Sequence, residues 1–235
     1  MDTISIIIPC FNHAEVLRRT LKGIQDQTLQ PNEIVVVDDS SMDNPKAVVS
    51  EFVDKLKLKF FRLEKNSGAP AARNYGAERT SGEFLLFLDA DVELEPDALE
   101  TFVNALNEHT DAVFAYSDFF WGSKLFRGLP FDVEALKKRN FIHTSSLLRR
   151  VAFPGFDESL KKFQDWDLWL TIAERGGKGV WINRPLYRIK PRRNGMSRWA
   201  PRFLYKIPWQ KLGFMPKVIR EYREAEQIVR KKHRL

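Results

Sequence analysis

Three short apolar runs constrain the fold of this chain more than any other feature of its sequence. They are Ile4–Ile8, Ile34–Val37 and Phe84–Leu88, and each is followed at once by proline or by acidic residues. Largely apolar runs of this length are typical of strands buried on both faces of a parallel sheet. Segments with helical apolar spacing separate the runs throughout residues 1–110. This alternation predicts an α/β domain with a mostly parallel central sheet flanked by helices.

Weaker patterns predict the other elements. Asn12 and Glu15 have the spacing of a capping box, so Asn12 is expected to cap the first helix. Ser41 or Asp43 is suited to cap the second helix, and Pro216 to begin the last one. We predict further strands at Leu58–Leu63, Ala112–Tyr116 and Thr144–Leu148, and helices at 44–56, Ala69–Arg79, Pro96–Leu106 and Trp166–Ala173. The last helix is predicted to bury a stripe formed by Val218, Tyr222, Ala225 and Val229.

The length and composition fit one domain with an appended C-terminal segment, since the chain has 235 residues of which 43% are hydrophobic. Cys10 is the single cysteine, which excludes an intrachain disulfide and fits a reducing compartment. No apolar run approaches the roughly 18 to 20 residues of a membrane span, and the first residues lack the pattern of a signal peptide. We therefore expect a cytoplasmic location.

The C-terminal segment is strongly basic. Residues 186–235 contain 15 Lys and Arg against 3 Asp and Glu, whereas the rest of the chain is mildly acidic. Within residues 198–235 the bases alternate with large aromatics such as Trp199, Phe203 and Trp209. This mixture predicts either peripheral attachment to the inner face of an anionic membrane or packing on the domain with the bases solvated. No recognised nucleic-acid motif is present, so we expect no nucleic-acid partner.

Polar residues follow three of the predicted strands, at Pro9–Asn12, Asp38–Ser41 and Asp89–Asp91. Ligands of open α/β sheets bind at this edge, so these residues are predicted to converge in one cleft. The two carboxylates of the third group can face one cation and suit Mg²⁺ or Mn²⁺. The carboxylates of the second group, Asp38 and Asp39, can accept hydrogen bonds from a nucleobase N–H or a ribose hydroxyl. The absence of the fingerprints G-x-G-x-x-G and G-x-x-x-x-G-K-[ST] argues against a dehydrogenase and a P-loop NTPase.

Six sequence pieces occur in the order and spacing of one enzyme family. They are Pro9-Cys10-Phe11-Asn12, Gln27-Thr28, Val37-Asp38-Asp39-Ser40-Ser41, Asn66-x-Gly68-x-x-x-Ala72-Arg73-Asn74, Leu88-Asp89-Ala90-Asp91 and Asp165-Trp166-Asp167-Leu168-Trp169. Over residues 3–198 the chain resembles the inverting glycosyltransferases of family 2, which have the GT-A fold. The resemblance implies a GT-A domain at 1–197, with a nucleotide-binding half at 1–110 and an acceptor and catalytic half at 111–197. A basic helical extension would follow at 198–235.

The resemblance also implies roles for individual residues. Asp165 would be the general base, because an acceptor alcohol is a poor nucleophile and a carboxylate must take its proton. Asp91 would hold the divalent metal, Mn²⁺ or Mg²⁺, together with Asp89, which would also face the ribose or sugar. Asp39 would contact the nucleobase and Arg73 would brace the nucleotide region. The other nucleotide-binding residues would be Pro9, Phe11, Asn12, Asp38, Asn66, Gly68 and Ala90. The donor sugar and acceptor would be lined by Thr144, Ser145, Trp166 and Asp167, and the loop that closes the site would include Arg188, Lys190 and Ser197.

Several structural interpretations stay open. Asp165 is also suited to cap a helix, and Asp167 is an alternative base. Arg73 can equally form a salt bridge inside the domain, and Phe11 can simply pack. Lys190 stands near a position where many members of the family have a histidine, and a protonated lysine can pair with phosphate but cannot ligate metal. His13 and His143 are expected to be surface or structural residues rather than metal ligands.

The function implied is inverting transfer of a sugar from a nucleotide-diphosphate sugar, foremost a UDP-sugar, to a hydroxyl of a glycan, a lipid-linked or another acceptor. GDP- and dTDP-sugars are alternative donors. The alternative is a catalytically inactive sugar-nucleotide-binding protein of the same fold. This alternative is disfavoured because Asp91 and Asp165, the expected metal ligand and general base, are both present. A nucleotidyltransferase on a related fold is disfavoured because its first loop is typically rich in glycine, and Pro9–Asn12 has none.

Overall fold

The computed structural model describes residues 2–190, 207, 209 and 214–235. In this part of the chain nine strands form one sheet in the order β3-β2-β1-β4-β8-β6-β9-β5, with β7 paired to β6. The strands are β1 Ile4–Cys10, β2 Glu33–Asp38, β3 Leu58–Arg62, β4 Phe84–Phe87, β5 Val92–Leu94, β6 Ala112–Trp121, β7 Lys124–Phe126, β8 Leu147–Arg149 and β9 Lys178–Ile189. The helices are α1 Ala14–Gln25, α2 Pro45–Ser50, α3 Ala69–Ala77, α4 Ala98–Glu108, α5 Val133–Lys138, α6 Gln164–Glu174 and α7 Lys217–Lys232, with a 3-10 turn at Arg150–Ala152.

The sheet is parallel in its first half and mixed in its second. Strands β3, β2, β1 and β4 are mutually parallel, as the alternation of strand and helix predicts. Strand β8 then pairs antiparallel with both β4 and β6, and β5 pairs antiparallel with β9, while β6 and β9 are parallel. The sheet as a whole is therefore a mixed sheet, because both β8 and β5 run antiparallel to the strands beside them.

The central strand β1 divides the core into two apolar layers. All of its residues are buried, and successive side chains point to opposite faces of the sheet. Ile6 and Ile8 pack in the layer that contains Leu21 of α1 and Phe102 of α4. Ile7 packs in the layer that contains the tryptophans of α6. Burial on both faces explains why the strand has no polar alternation.

The loops after β1 and β2 differ from the predicted caps. Asn12 does not cap α1: it has a left-handed backbone (φ 54°), and its side-chain oxygen accepts a hydrogen bond from Met42 N at 2.7 Å. Asp43 does not cap α2 but accepts from Ala14 N at 2.8 Å, and Asn44 caps α2 instead. The capping predictions were wrong because the two loops bond to each other across the chain. Asn12 accepts from Met42 in the second loop and Asp43 accepts from Ala14 at the start of α1, contacts between residues about 30 positions apart.

The C-terminal helix α7 packs against α6. The Tyr222 ring contacts the Phe163 ring with centroids 4.9 Å apart, and Val229 is buried as predicted, although Ile219 is the second buried position rather than Val218. His233, at the end of α7, is buried and lies 2.9 Å from an oxygen of Asp167. In the described ranges no helix is long and apolar enough to cross a membrane. The boundary at residue 198 stays a prediction.

Candidate active site

The carboxylate of Asp39 organises the loop before α3. Its Oδ1 accepts a hydrogen bond from Ser67 N at 2.7 Å and its Oδ2 accepts one from Gly68 N at 2.8 Å. The Asn66 side-chain amide donates to the Asp39 carbonyl at 3.3 Å. Gly68 has φ 91°, a conformation that suits glycine, and it forms the N-cap of α3. The predicted residues Asp39, Asn66 and Gly68 therefore lie together at the end of β2.

Asp38 has a different environment from its neighbour. Its carboxylate is buried, accepts from Ser41 N at 2.9 Å and pairs with Arg62 at 2.7 Å. Both oxygens thus hold the turn that follows β2, and contact of Asp38 with a nucleotide stays a prediction.

Pro9, Phe11 and Asn12 occupy the end of β1. Pro9 is buried within the strand, opposite Val37. The Phe11 side chain, by contrast, is 42% exposed just beyond the strand, where its ring is accessible to a ligand. Asn12 N donates to Ser41 Oγ at 2.9 Å, so this loop is joined to the one after β2. An exposed aromatic ring beside a fixed loop is suited to stack on a planar base.

A buried arginine joins the end of β4 to the start of α6. Arg73 Nη2 donates to Asp89 Oδ1 at 2.6 Å, and Arg73 Nη1 donates to Gln164 Oε1 at 3.0 Å. Burial alone would raise the pKa of Asp89, but Arg73, with His143, holds it below its usual value. Ala90 is buried and its carbonyl accepts from Thr20 Oγ1 at 2.8 Å. Arg73 thus forms the predicted internal salt bridge and also connects the Asp89 loop to the residue before Asp165.

Asp165 lies in the first turn of α6. Its Oδ2 accepts from Asn140 Nδ2 at 2.7 Å and its Oδ1 from Trp166 N at 2.9 Å. Burial raises the pKa of Asp165, although His143, the Trp166 N–H and Arg73 oppose the effect. A carboxylate with a raised pKa that is still partly exposed can accept a proton from a bound hydroxyl.

His143 interacts electrostatically with both Asp89 and Asp165. Its sequence context did not predict this placement. Its ring contacts Tyr187, with centroids 5.5 Å apart, and its Nδ1 accepts from Ser145 N at 3.1 Å. Burial lowers the pKa of His143, and Asp89 and Asp165 oppose that effect. No periodicity or motif in the sequence signals this placement, nor that of Asn140.

Three buried polar atoms have no hydrogen-bond partner in the described part of the chain: Arg73 Nε, Ser145 Oγ and Tyr187 Oη. All three belong to residues that surround Asp89, His143 and Asp165. Burial, together with Asp89, Asp165 and Asp118, raises the pKa of Tyr187 well above its ordinary value, so its hydroxyl stays a donor. Buried polar atoms are usually satisfied, so this concentration fits a region that receives polar groups of a ligand. Thr144 is buried beside Ser145.

Trp166 and Asp167, the two residues after Asp165, are both buried. Trp166 is buried in the core and donates from Nε1 to the Leu136 carbonyl at 2.7 Å. Asp167 is buried and pairs with Lys232 at 2.8 Å and with His233 at 2.9 Å. The helical turn that presents Asp165 to one side carries the next two side chains away from it. The structure therefore shows both residues packed against α5 and α7, and their contact with the donor sugar or the acceptor stays a prediction.

The predicted closing loop is only partly described. Arg188 lies on β9, donates to the Gly122 carbonyl at 2.8 Å and stacks over the Phe120 ring at 4.3 Å. Lys190 pairs with Glu93 at 3.1 Å, and its backbone N donates to the Asp91 carbonyl at 3.3 Å. Lys190 therefore lies beside the Asp89–Asp91 loop. Ser197 lies outside the described residues.

The residues at the end of β4 fit a metal that is shared with a ligand rather than a closed protein cage. Among the described residues no group of three or more His, Cys, Asp or Glu is arranged to hold a metal. Asp89 and Asp91 supply two half-buried carboxylates. Mg²⁺ is usually held by one or two carboxylates together with substrate phosphates and waters, and this donor set fits that pattern.

Comparison with known proteins identifies the family. The family model described as Glycosyl transferase family 2 matches residues 5–156. The chain belongs to glycosyltransferase family 2. The family match includes the ends of β1, β2 and β4 but stops before Asp165, whose assignment depends on its own motif and surroundings.

A curated relative from Campylobacter jejuni, a GalNAc(5)-diNAcBac-PP-undecaprenol beta-1,3-glucosyltransferase, is 39% identical over 117 residues, 48% of this chain and 38% of the relative. The chain spans about a third of the length of the first curated relatives that it matches. Staphylococcus aureus TarS 1-349 in complex with UDP-GlcNAc matches with a TM-score of 0.71 and 21% identity over 87% of this chain and 64% of that one. The mannosyltransferase PcManGT from Pyrobaculum calidifontis, in complex with GDP-Man and Mn²⁺, matches with a TM-score of 0.67 and 20% identity over 96% and 69%. These structural matches confirm the GT-A fold.

Proposed function

We propose that this family 2 chain transfers a sugar from a nucleotide-diphosphate sugar to an acceptor hydroxyl with inversion, and that Asp165 is the general base. The observation that supports this most is the connection of Asp89 through Arg73 to Gln164, the residue before Asp165, by bonds of 2.6 and 3.0 Å. It joins the loop that would hold the diphosphate to the helix that would hold the base. Inversion requires attack from the face opposite the leaving group, so a separate base on the second half of the domain suits it.

The nucleotide is proposed to lie across the ends of β1 and β2. The exposed Phe11 ring would stack on the base, and Asp39 would fix the Asn66–Gly68 loop against it. A UDP-sugar is the first candidate donor, because the TarS structure with UDP-GlcNAc has the same fold, and a GDP-sugar is the second, because PcManGT binds GDP-Man. A panel of UDP-, GDP- and dTDP-sugars, assayed for nucleoside diphosphate release, tests the choice.

A divalent cation, Mn²⁺ or Mg²⁺, is proposed to be held by Asp91 with Asp89. When bound, it would offset the negative charge of the diphosphate leaving group. Arg73 keeps Asp89 ionised, since its guanidinium lowers the pKa of that carboxyl. Lys190 pairs with Glu93 in the same region and is placed to add a positive charge near a phosphate.

Removing the cation or its carboxylate is expected to abolish donor turnover. EDTA should stop nucleoside diphosphate release, and Asp91→Ala should lower it about 100-fold or more, because the leaving group loses its counter-charge. In a thermal-shift assay, UDP with Mn²⁺ should raise the melting temperature of the wild type but not of Asp91→Ala. Glu108→Ala, on the exposed end of α4, is the matched control. Full activity in EDTA would contradict the metal assignment.

The acceptor is proposed to be a hydroxyl of a glycan or a lipid-linked glycan in polysaccharide synthesis, as the name of the Campylobacter relative suggests. The enzyme would act on the cytoplasmic side of a membrane and attach to it through basic residues. Several bases at the end of α7 already have intramolecular partners, because Arg230 pairs with Glu226 and Lys232 with Asp157 and Asp167. Attachment would therefore depend on other exposed bases, among them Arg220, Lys231 and Arg234.

Binding to anionic vesicles is the test of membrane attachment. The protein is expected to sediment with phosphatidylglycerol vesicles at low salt, to stay in solution with phosphatidylcholine vesicles, and to detach at high salt. The triple change Arg220→Glu, Lys231→Glu and Arg234→Glu should weaken binding by at least about 100-fold, since each base near the surface contributes about 1 kcal/mol. If the wild type remains in the supernatant with anionic vesicles at low salt, membrane attachment is refuted.

The alternative function, a binding protein without catalysis, predicts a different pair of results. Such a protein would show the thermal shift with UDP and Mn²⁺ but release no nucleoside diphosphate from any sugar nucleotide. The Asp165 carboxylate, with a pKa raised by burial, would then have no role that requires proton transfer.

A further inference from the structure

Asp165 is held from two sides. Trp166 N donates to Oδ1 at 2.9 Å, and Asn140 Nδ2 donates to Oδ2 at 2.7 Å. A carboxylate oxygen can accept two hydrogen bonds, so each oxygen keeps one position for a further donor. The acceptor hydroxyl of the proposed reaction needs one such position. Asn140 therefore helps to determine which lone pair of the Asp165 carboxylate remains free to accept the proton.

The orientation of the Asn140 amide is fixed by a second contact. Its Oδ1 accepts a hydrogen bond from Ile142 N at 3.1 Å. If the amide were turned over, its NH₂ group would face the Ile142 N–H and its oxygen would face the carboxylate of Asp165. Both contacts would then be repulsive, so only the NH₂ group can point at Asp165.

The segment that carries Asn140 is attached to α6 on both sides of this residue. Trp166 Nε1 donates to the Leu136 carbonyl at 2.7 Å, and Trp169 Nε1 donates to the Ile142 carbonyl at 3.1 Å. Both indole rings are buried. The helix that carries Asp165 therefore also fixes the backbone that carries its hydrogen-bond donor, and the two side chains are held at a constant separation.

We propose that Asn140 is a positioning residue for Asp165: its amide holds the carboxylate in one rotamer and favours its ionised form, so that a free lone pair faces the acceptor hydroxyl. The inference rests on the proposed function, because Asn140 acts only through the base. A donor to a carboxylate stabilises the charged form, and a fixed rotamer keeps the reacting atoms in line.

The other groups around Asp165 set the background for this effect. Arg73 of α3 and His143, before β8, lower the pKa of Asp165 and oppose the effect of burial. The hydroxyl of Tyr187 on β9 stays protonated, because burial and nearby carboxylates raise its pKa. In the described part of the chain none of these three groups hydrogen-bonds directly to the carboxylate, so Asn140 supplies its side-chain donor.

The experiment compares Asn140→Ala and Asn140→Asp with the control Arg139→Ala, which changes an exposed neighbour. Carboxyl ¹³C NMR titration of the full chain, with the Asp165 signal assigned by its loss in Asp165→Asn, measures the ionisation directly. We expect the midpoint of Asp165 to rise by about one pH unit in Asn140→Ala. In Asn140→Asp it should rise further, because a second carboxylate opposes ionisation while still accepting from Ile142 N.

Turnover supplies the second readout, measured as nucleoside diphosphate release from whichever UDP-, GDP- or dTDP-sugar gives the fastest rate. Asn140→Ala should lower kcat at least about 10-fold with little change in KM, and should shift the acid limb of the pH profile upward. In the Asp165→Asn background the same change should have no further effect, because the residue it acts through is gone.

The outcomes separate the two proposals. If Asp165→Asn loses turnover but the titration midpoint of Asp165 is the same in Asn140→Ala as in Arg139→Ala, the positioning role alone is overturned. Wild-type turnover by Asp165→Asn overturns the base and, with it, the positioning role. Asn140→Asp retains the acceptor for Ile142 N, so it tests the inference even if Asn140→Ala folds poorly.

Discussion

Asp165→Asn is expected to lower kcat by about 10²- to 10⁴-fold while the affinity for the nucleoside diphosphate stays near that of the wild type. Asparagine keeps the size of the side chain and an oxygen that can accept from Trp166 N, but it cannot take the proton of the acceptor hydroxyl. The measurement is steady-state release of nucleoside diphosphate in the presence of an acceptor. Titration calorimetry with UDP and Mn²⁺ measures the affinity separately.

The matched control is Asp167→Asn, the same chemical change two residues along α6. Asp167 is directed at His233 and Lys232, away from the group around Asp89, so its change should leave kcat within a few fold at temperatures where the variant is folded. If Asp167→Asn loses turnover and Asp165→Asn retains it, the assignment of the base is wrong. Both variants should be compared at equal distances below their melting temperatures.

Asp167→Ala is expected to produce a large loss of stability. Its carboxylate is buried and pairs with His233, which is also buried, and with Lys232. Removing one member of a buried ion pair costs about 3–5 kcal/mol, and the partial exposure of Lys232 places the expected loss of unfolding free energy near 3 kcal/mol. For a domain of this size that corresponds to a fall in Tm of about 6–12 °C.

Asp157→Ala is the control for this loss, because it removes another carboxylate that pairs with the same Lys232 but is more exposed. We expect it to cost about 1 kcal/mol or less. The hydrogen bond from Lys232 and those from Ser159 lower the pKa of Asp157 to about 2. Its contribution is therefore present at neutral pH and is lost as the pH falls below about 4 toward 2. Equal losses for the two alanine variants in urea denaturation at pH 7 would show that burial of Asp167 adds nothing.

The first half of the fold was predictable because its strands are short apolar runs that end at proline or acidic residues. Because the carboxyl ends of parallel strands lie at one edge of a sheet, the residues that follow these runs, Asp39 and Asp89, were also expected at one edge. Strand β9 gave no such signal, since its first five residues are polar, small or partly exposed. Strand β5 has only three residues, too few for any period to appear. Their positions depend on pairing between distant segments, which local patterns do not encode.

The places of the candidate site residues in the fold were predictable to the same extent, whereas their roles stay predictions. Asp39, Arg73, Asp89 and Asp165 follow from strand ends and from family motifs. Asn140 and His143 do not, because a lone amide or imidazole in an irregular loop has no periodicity, and their roles depend on α6, more than 20 residues away. Asp167 illustrates the reverse case: its place in the motif suggested chemistry, but its partner His233 lies 66 positions later in the chain.

The strand order has a consequence for chimeric enzymes. Strand β5 belongs to the first half of the chain, yet it lies at the far edge of the sheet and pairs with β9, while β8 of the second half pairs with β4 at the centre. Strands of the two halves therefore alternate within one sheet, and neither half forms a separate sheet. An exchange of residues 111–190 between two members of the family would replace β8 and β9 but keep β4 and β5. The pairs β4–β8 and β5–β9 would then each join strands from different parents. Functional hybrids should thus require that β4, β5, β8 and β9 come from the same parent.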